Sequence, residues 1–429
     1  MNNKYDFMCY VILMLMLISV MCSCGKNDET HGGIYDEHAL QMESAENMKD
    51  AEELSKEKSE EQIKKGYELP INDSERQEAE DDCKRVMELI FKDYEYADKS
   101  DSSNVVLSNE VLCKMKDKVR EKGFTVNTGI LYSDMENYDS MDDFLKECIN
   151  GKSGSAVIYE IHFDGGIGRS KYVFDGKDMY VLDTNIMWNK DNQPKIAYIS
   201  YSRVKEWKYT DKGWFCYKLC VPELPDVTEI VDGSRLLRIK PMSPENRYMS
   251  EKCLSSLAYH GSNILCSDWN EKNMENLDYN GMYEYLYAMK YQKEFNPYEY
   301  TDGIPKEEFE SLIQEYFPIT ADKIQEYAVF DEEKQTYVWA RLGCLNYSPT
   351  YFGTSTPEVT DIRENEDGTV TLTVDAVCDM VLCDDAVITH ELTVMFAEDG
   401  SFKYLSNKIL NSGIENIPEY QYRIINNNN

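Results

Sequence analysis

The segment VITHELTVMF, residues 387–396, places Ile388, His390, Leu392, Val394 and Phe396 on one side of an extended chain, so a histidine stands among apolar neighbours. Histidine is the side chain best suited to carry a proton near neutral pH, and Asp384, Asp385 and Glu391 are close to it in sequence. Strand alternation sends Glu391 to the opposite face, however, and a lone inward histidine is more often a core residue with both nitrogens satisfied. His390 is the one pocket candidate, and hydrolase or isomerase chemistry is the alternative it supports.

Other arrangements fail on spacing. GKS at 151–153 has Lys146 where a phosphate loop needs its first glycine. Ser202 and Lys205 match S-x-x-K, but no K-T-G accompanies them and the segment reads as a strand. DWNEKNMEN, from Asp268, offers oxygen ligands without the glycine and terminal glutamate of a calcium loop. His31 and His38 fall in an acidic tether, His162 points away from an apolar face, and His260 lies in a polar turn. The cysteines and histidines show no zinc or redox spacing, so no metal and no cofactor are expected.

The elements that would position such residues begin with an export signal. Lys4 precedes an uncharged run from Phe7 to Cys22, which as a helix spans about 24 Å, short of the ~30 Å hydrocarbon core. The run ends in VMCSCGK, which resembles a lipoprotein signal: Ser23 is the small residue before Cys24, and Gly25 follows. Cys22 fits less well, because Met21 is bulky. Cys24 is therefore the expected lipid-bearing residue, with 1–23 removed as the signal peptide. Several acyl chains, at ~0.8 kcal/mol per buried methylene, hold a protein stably where one chain is marginal.

The formal charge of −34 argues against nucleic acid as a partner and for stand-off from an anionic envelope. Ten cysteines remain beyond Cys9, Cys22 and Cys24, too dilute for a disulfide-stapled miniprotein. Residues 24–74 are rich in Glu and Lys and read as an acidic, flexible or transiently helical tether. Ala79, Cys83, Val86, Met87, Ile90 and Tyr94 then recur at helical spacing, and two further helical stretches follow near 110–122 and 141–149. Strand patterns succeed them in SAVIYEIHF, YVFDG, MYVLD, KIAYISYSRVKEW and WFCYKLCV, separated by Asp-Gly turns. Prolines at 222, 225, 241 and 244 mark a boundary, after which NGMYEYLYAMKYQKEF and IPKEEFESLIQEYF read as helices and YVWARL, GTVTLTVDAVC and VITHELTVMF as strands. The fold class expected is α+β, with two domains, 75–235 and 236–429, each of helices followed by an antiparallel sheet.

The leader together with YNGMYEYLYAMKYQ, DGIPKEEFESLI, YVWARLGCLNY and GTVTLTVDAVCDMV resembles a family of uncharacterised lipoproteins from anaerobic, gut-type Clostridia. The resemblance implies a membrane-attached exported protein and assigns no site residues. The helix-then-sheet order is also similar to the cone-shaped fold of the nuclear transport factor 2 and ketosteroid isomerase class. The resulting expectation is a non-enzymatic, extracytoplasmic protein, attached to the outer face of the cell membrane through the acyl anchor at Cys24. Its body would bind a peptide, protein or small-molecule ligand.

Overall fold

A computed structural model of the chain describes residues 60–99, 105–342, 355–378 and 386–424. Cys24, His31, His38, Asp384 and Asp385 lie outside the described residues. The chain is α+β. No helix among the described residues is long and apolar enough to cross a membrane.

Most of the first sheet is preceded by α1 (Asp73–Tyr96), α2 (Asn109–Glu121) and, after the short strand β1 (Val126–Thr128), α3 (Asp139–Ile149). Asn72 starts α1 with a reciprocal cap, its side chain accepting from the Glu75 amide at 2.8 Å. The six positions of helical spacing in α1 are its buried ones. Val86, Met87 and Ile90 each contribute about 1.5–3 kcal/mol by leaving water. The sheet then runs in sequence order through β2 (Gly154–Ile161), β3 (Ile167–Phe174), β4 (Met179–Trp188), β5 (Pro194–Tyr209), β6 (Trp214–Leu219) and β7 (Ser234–Arg238). All neighbours are antiparallel except β1 and β2, which are parallel.

Both faces of this sheet are covered. Tyr159, Ile161, Ile167 and Ile186 pack under α1 and α2, whereas Ala156, Ile158, Tyr172, Phe174 and Val181 pack against α3. SAVIYEIHF thus has apolar side chains on both sides, where simple alternation gives one. Strand β5 is 16 residues long, pairing with β4 through its first half and with β6 through its second. Chain ahead of α1 adds to the open stretch of β5: the amide of Leu69 donates to the Tyr201 carbonyl at 2.9 Å, and that of Arg203 to the Gly66 carbonyl at 2.7 Å. The segment expected to tether the body up to residue 74 is therefore already part of it at 66–69.

The second half holds α4 (Pro244–Cys253), β8 (Trp269–Asn270), α5 (Tyr279–Tyr291), β9 (Ile304–Pro305), α6 (Lys306–Tyr316), α7 (Ala321–Tyr327), β10 (Phe330–Asp331) and β11 (Thr336–Tyr337). After these come β12 (Thr356–Glu364), β13 (Val370–Val377), β14 (Ile388–Phe396) and β15 (Phe402–Ile409). The order β12-β13-β14-β15-β8 makes a five-stranded antiparallel sheet, and β9, β10 and β11 make a small separate one. One apolar cluster joins α4, α5, α6 and the inner face of the larger sheet, with Trp269, Tyr283, Phe309 and Tyr404 at its centre. Two expectations need correction. The boundary between 235 and 236 falls inside β7, which pairs along its length with β6 and belongs to the first sheet. YVWARL enters a strand only at Tyr337.

The halves meet through charge and a small apolar contact. Arg238 pairs with Glu358, Lys212 with Asp375 and Arg247 with Asp134. The Tyr132 hydroxyl donates to the Pro357 carbonyl at 2.5 Å. Trp214 and Cys216 of β6 touch Val377 of β13.

Candidate functional site

His390 does face inward on β14, as alternation requires, and it is fully buried. Its Nδ1 lies 2.6 Å from Asn407 Oδ1 and its Nε2 lies 2.8 Å from the Tyr259 hydroxyl. The Asn407 amide nitrogen donates to the carbonyls of Leu265 and Ser267, which turns Oδ1 toward the imidazole. Nδ1 is therefore the donor, and Nε2 accepts from Tyr259. Burial holds the imidazole down at about 4, against the smaller opposing pull of the Asn407 bond. A neutral ring with both nitrogens used and no carboxylate bonded to it has no proton to exchange. The pocket expected around His390, and the hydrolase or isomerase reading built on it, are withdrawn: this is a core histidine.

The remaining sequence candidates are also accounted for. Glu391 faces the other way and pairs with Arg363 at 3.3 Å. Lys205 is exposed and pairs with Glu223. Around Asp268 the oxygens are taken by backbone amides: Asp268 Oδ1 accepts from Ile409, Asn270 Oδ1 from Lys272, and Asn273 Oδ1 from Asn270. No group of three or more His, Cys, Asp or Glu side chains suited to a metal ion occurs among the described residues.

A cleft of about 280 Å³ lies elsewhere, where the first sheet meets β12. Asn127 and Thr128 of β1, Leu236 and Arg238 of β7, Trp214 of β6, and Thr356 with Glu358 of β12 all line it. Strands β1 and β7 are the opposite ends of the seven-stranded order. For both ends to line one cleft the sheet must curl on itself, and the register shift between Val204 and Glu206 in β5 supplies a bend. The loop from Gly129 to Asp134 closes one side, with Tyr132 at φ 61° and bonded across to β12.

Two polar atoms of this lining have no partner among the described residues. The indole Nε1–H of Trp214, a residue only 8% exposed, finds no acceptor, and Asn127 Oδ1 finds no donor. The hydroxyl of Ser355, next to the lining Thr356, is likewise unmet. Each unmet buried polar group costs about 1–3 kcal/mol, which a ligand supplying the missing partner would recover in part. The charges nearby are mostly cancelled. Arg238 stacks over the Trp214 ring at 5.1 Å while pairing with Glu358. Burial nevertheless raises the Glu358 carboxyl above its ordinary value, outweighing Arg238. Asp134 accepts from Arg247 and from the Met242 amide. Glu160 has no ion-pair partner among the described residues.

None of these residues stood out in the sequence. They come from 127–134, 160, 214, 236–242 and 356–358, and no single periodic segment contains them. The one legible signal was Glu160, a carboxylate on the strand face shared with Ala156 and Ile158.

The chain belongs to a family of unknown function (DUF6070), which it matches over residues 76–423. Comparison with curated proteins and with solved structures gave no match.

Proposed function

We propose that the protein is an extracytoplasmic binding module, held to the outer face of the membrane by acyl chains on Cys24, whose ligand enters the cleft between β1, β7 and β12. One observation carries the reading: a cleft of about 280 Å³ whose lining keeps an unmet indole donor and an unmet amide acceptor. A cleft of this size, at the small end of ligand sites, accommodates a small molecule or one or two peptide residues. The anchor is supported by the uncharged leader and the Ser23-Cys24-Gly25 order.

Two measurements test it. In cell fractionation, the wild-type chain partitions with membranes and Cys24→Ser is released; acylation that persists in the variant overturns the choice of cysteine. For the cleft, the full chain carrying Cys24→Ser is labelled on its indole nitrogens and screened with a library of small molecules and short peptides. The chain has five tryptophans, and Trp214→Phe identifies the signal of interest. Binding that shifts the Trp214 indole signal supports the cleft, whereas ligands that bind and leave it unmoved place recognition elsewhere.

A further inference from the structure

Resting on the cleft reading above, we infer that the ligand presents a positively charged group, an ammonium or guanidinium, together with a hydrogen-bond acceptor, as a basic residue in a peptide does. Asn127 and Glu160 are register partners on the parallel strands β1 and β2, so their side chains leave the sheet on the same face, and both line the cleft. Among the described residues Asn127 Oδ1 has no donor and Glu160 has no ion-pair partner. Two acceptors side by side, one of them charged, are complementary to a cationic donor.

The other lining charges do not offset Glu160, because Arg238 is committed to Glu358 and Asp134 to Arg247. Further along the same face of the sheet stands Asp183, which accepts from Ser170 Oγ at 2.6 Å. Arg235 is the cation felt there; its Nη1 donates to the Ser234 carbonyl at 2.7 Å. Burial raises the Asp183 carboxyl above its ordinary value, so Glu160 is the carboxylate of this face that lines the cleft. Glu160 lies in a cleft of a chain carrying −34, whose long-range field concentrates cations at its surface.

The indole Nε1–H of Trp214 adds a second requirement. A donor on the wall needs an acceptor on the ligand, which a peptide carbonyl supplies and a bare metal ion does not. The unmet atoms of Asn127 and Trp214 are recessed behind the lining. A ligand that pushes into the cleft reaches them, and one lying across the mouth does not.

The test uses the full chain with Cys24→Ser and three blocked tripeptides, alanine flanking lysine, arginine or glutamine, by calorimetry and by the Trp214 indole signal. The lysine and arginine peptides are expected to bind about tenfold tighter than the glutamine peptide, equivalent to ~1.4 kcal/mol. Glu160→Gln, checked for an unchanged melting temperature, is expected to bring the ratio near one. Raising the salt concentration weakens only the cationic peptides. Equal binding of all three with a shifted Trp214 signal overturns the charge inference and leaves the cleft standing. Failure of all three to bind overturns the charge inference as well, and the wider library then decides the cleft.

Discussion

Replacing His390 with glutamine should remove much of the protein's sensitivity to mild acid. In the folded chain burial holds the imidazole down at about 4, while in the unfolded chain it titrates near its ordinary value of about 6.5. Between those values the unfolded state binds more protons than the folded one, so stability rises with pH through this window and is lost as pH falls. Going from about pH 7 to about pH 5, the linkage relation gives a loss of roughly 2 kcal/mol from this one residue. The geometry explains the size: protonating Nε2 turns the Tyr259 O–H, donating at 2.8 Å, toward another donor in a site closed to water. Glutamine retains polar atoms for Tyr259 and Asn407 but does not titrate. Urea unfolding of the two chains at both pH values isolates the term, because Asp183, Asp278 and Glu358 titrate alike in each. A wild-type pH dependence matched by the variant to within about 0.5 kcal/mol would refute the argument that His390 is buried and neutral.

Three further outcomes follow from the packing. Lys212→Met strands Asp375, which is 1% exposed and otherwise keeps the Thr389 hydroxyl at 2.7 Å, and should cost about 3 kcal/mol in denaturant unfolding; adding Asp375→Asn should recover most of it. Gly213→Ala should destabilise more than Gly123→Ala, by about 1–2 kcal/mol, because both glycines have positive φ but only at 213 does the new Cβ meet the Lys240 side chain. Thermal melts of the pair check this. In timed alkylation read by mass spectrometry, exposed Cys113 should react well before Cys83, Cys253 and Cys266, whose thiols burial pushes up to about 12.

Periodicity exposed the elements that bury one regular stripe. Residues 79, 83, 86, 87, 90 and 94 matched the buried face of α1, and strict alternation placed His390 inward on β14. Elements that owe their form to distant partners left little trace. Strand β1 is three residues long and exists by pairing with β2 and Glu136, and TPEVTDIRE of β12 carries charges that break its alternation. The cleft was illegible for the same reason. Asn127 and Glu358 are more than two hundred positions apart, and only the curl of the first sheet brings them to one place. Histidine drew attention in the sequence because its chemistry is distinctive, yet the unmet atoms belong to a tryptophan and an asparagine whose types alone announce nothing.

The backbone pairing of residues 66–69 with β5 also bears on how the body would respond to force. A chain pulled from its N-terminal side passes the load first to the Leu69–Tyr201 and Arg203–Gly66 hydrogen bonds, before α1 is strained. Lys65, paired with Glu61 and Asp226, stands at the same entry point. These few contacts would act as a sacrificial link, peeling away under shear while the two larger sheets and the cleft stay whole.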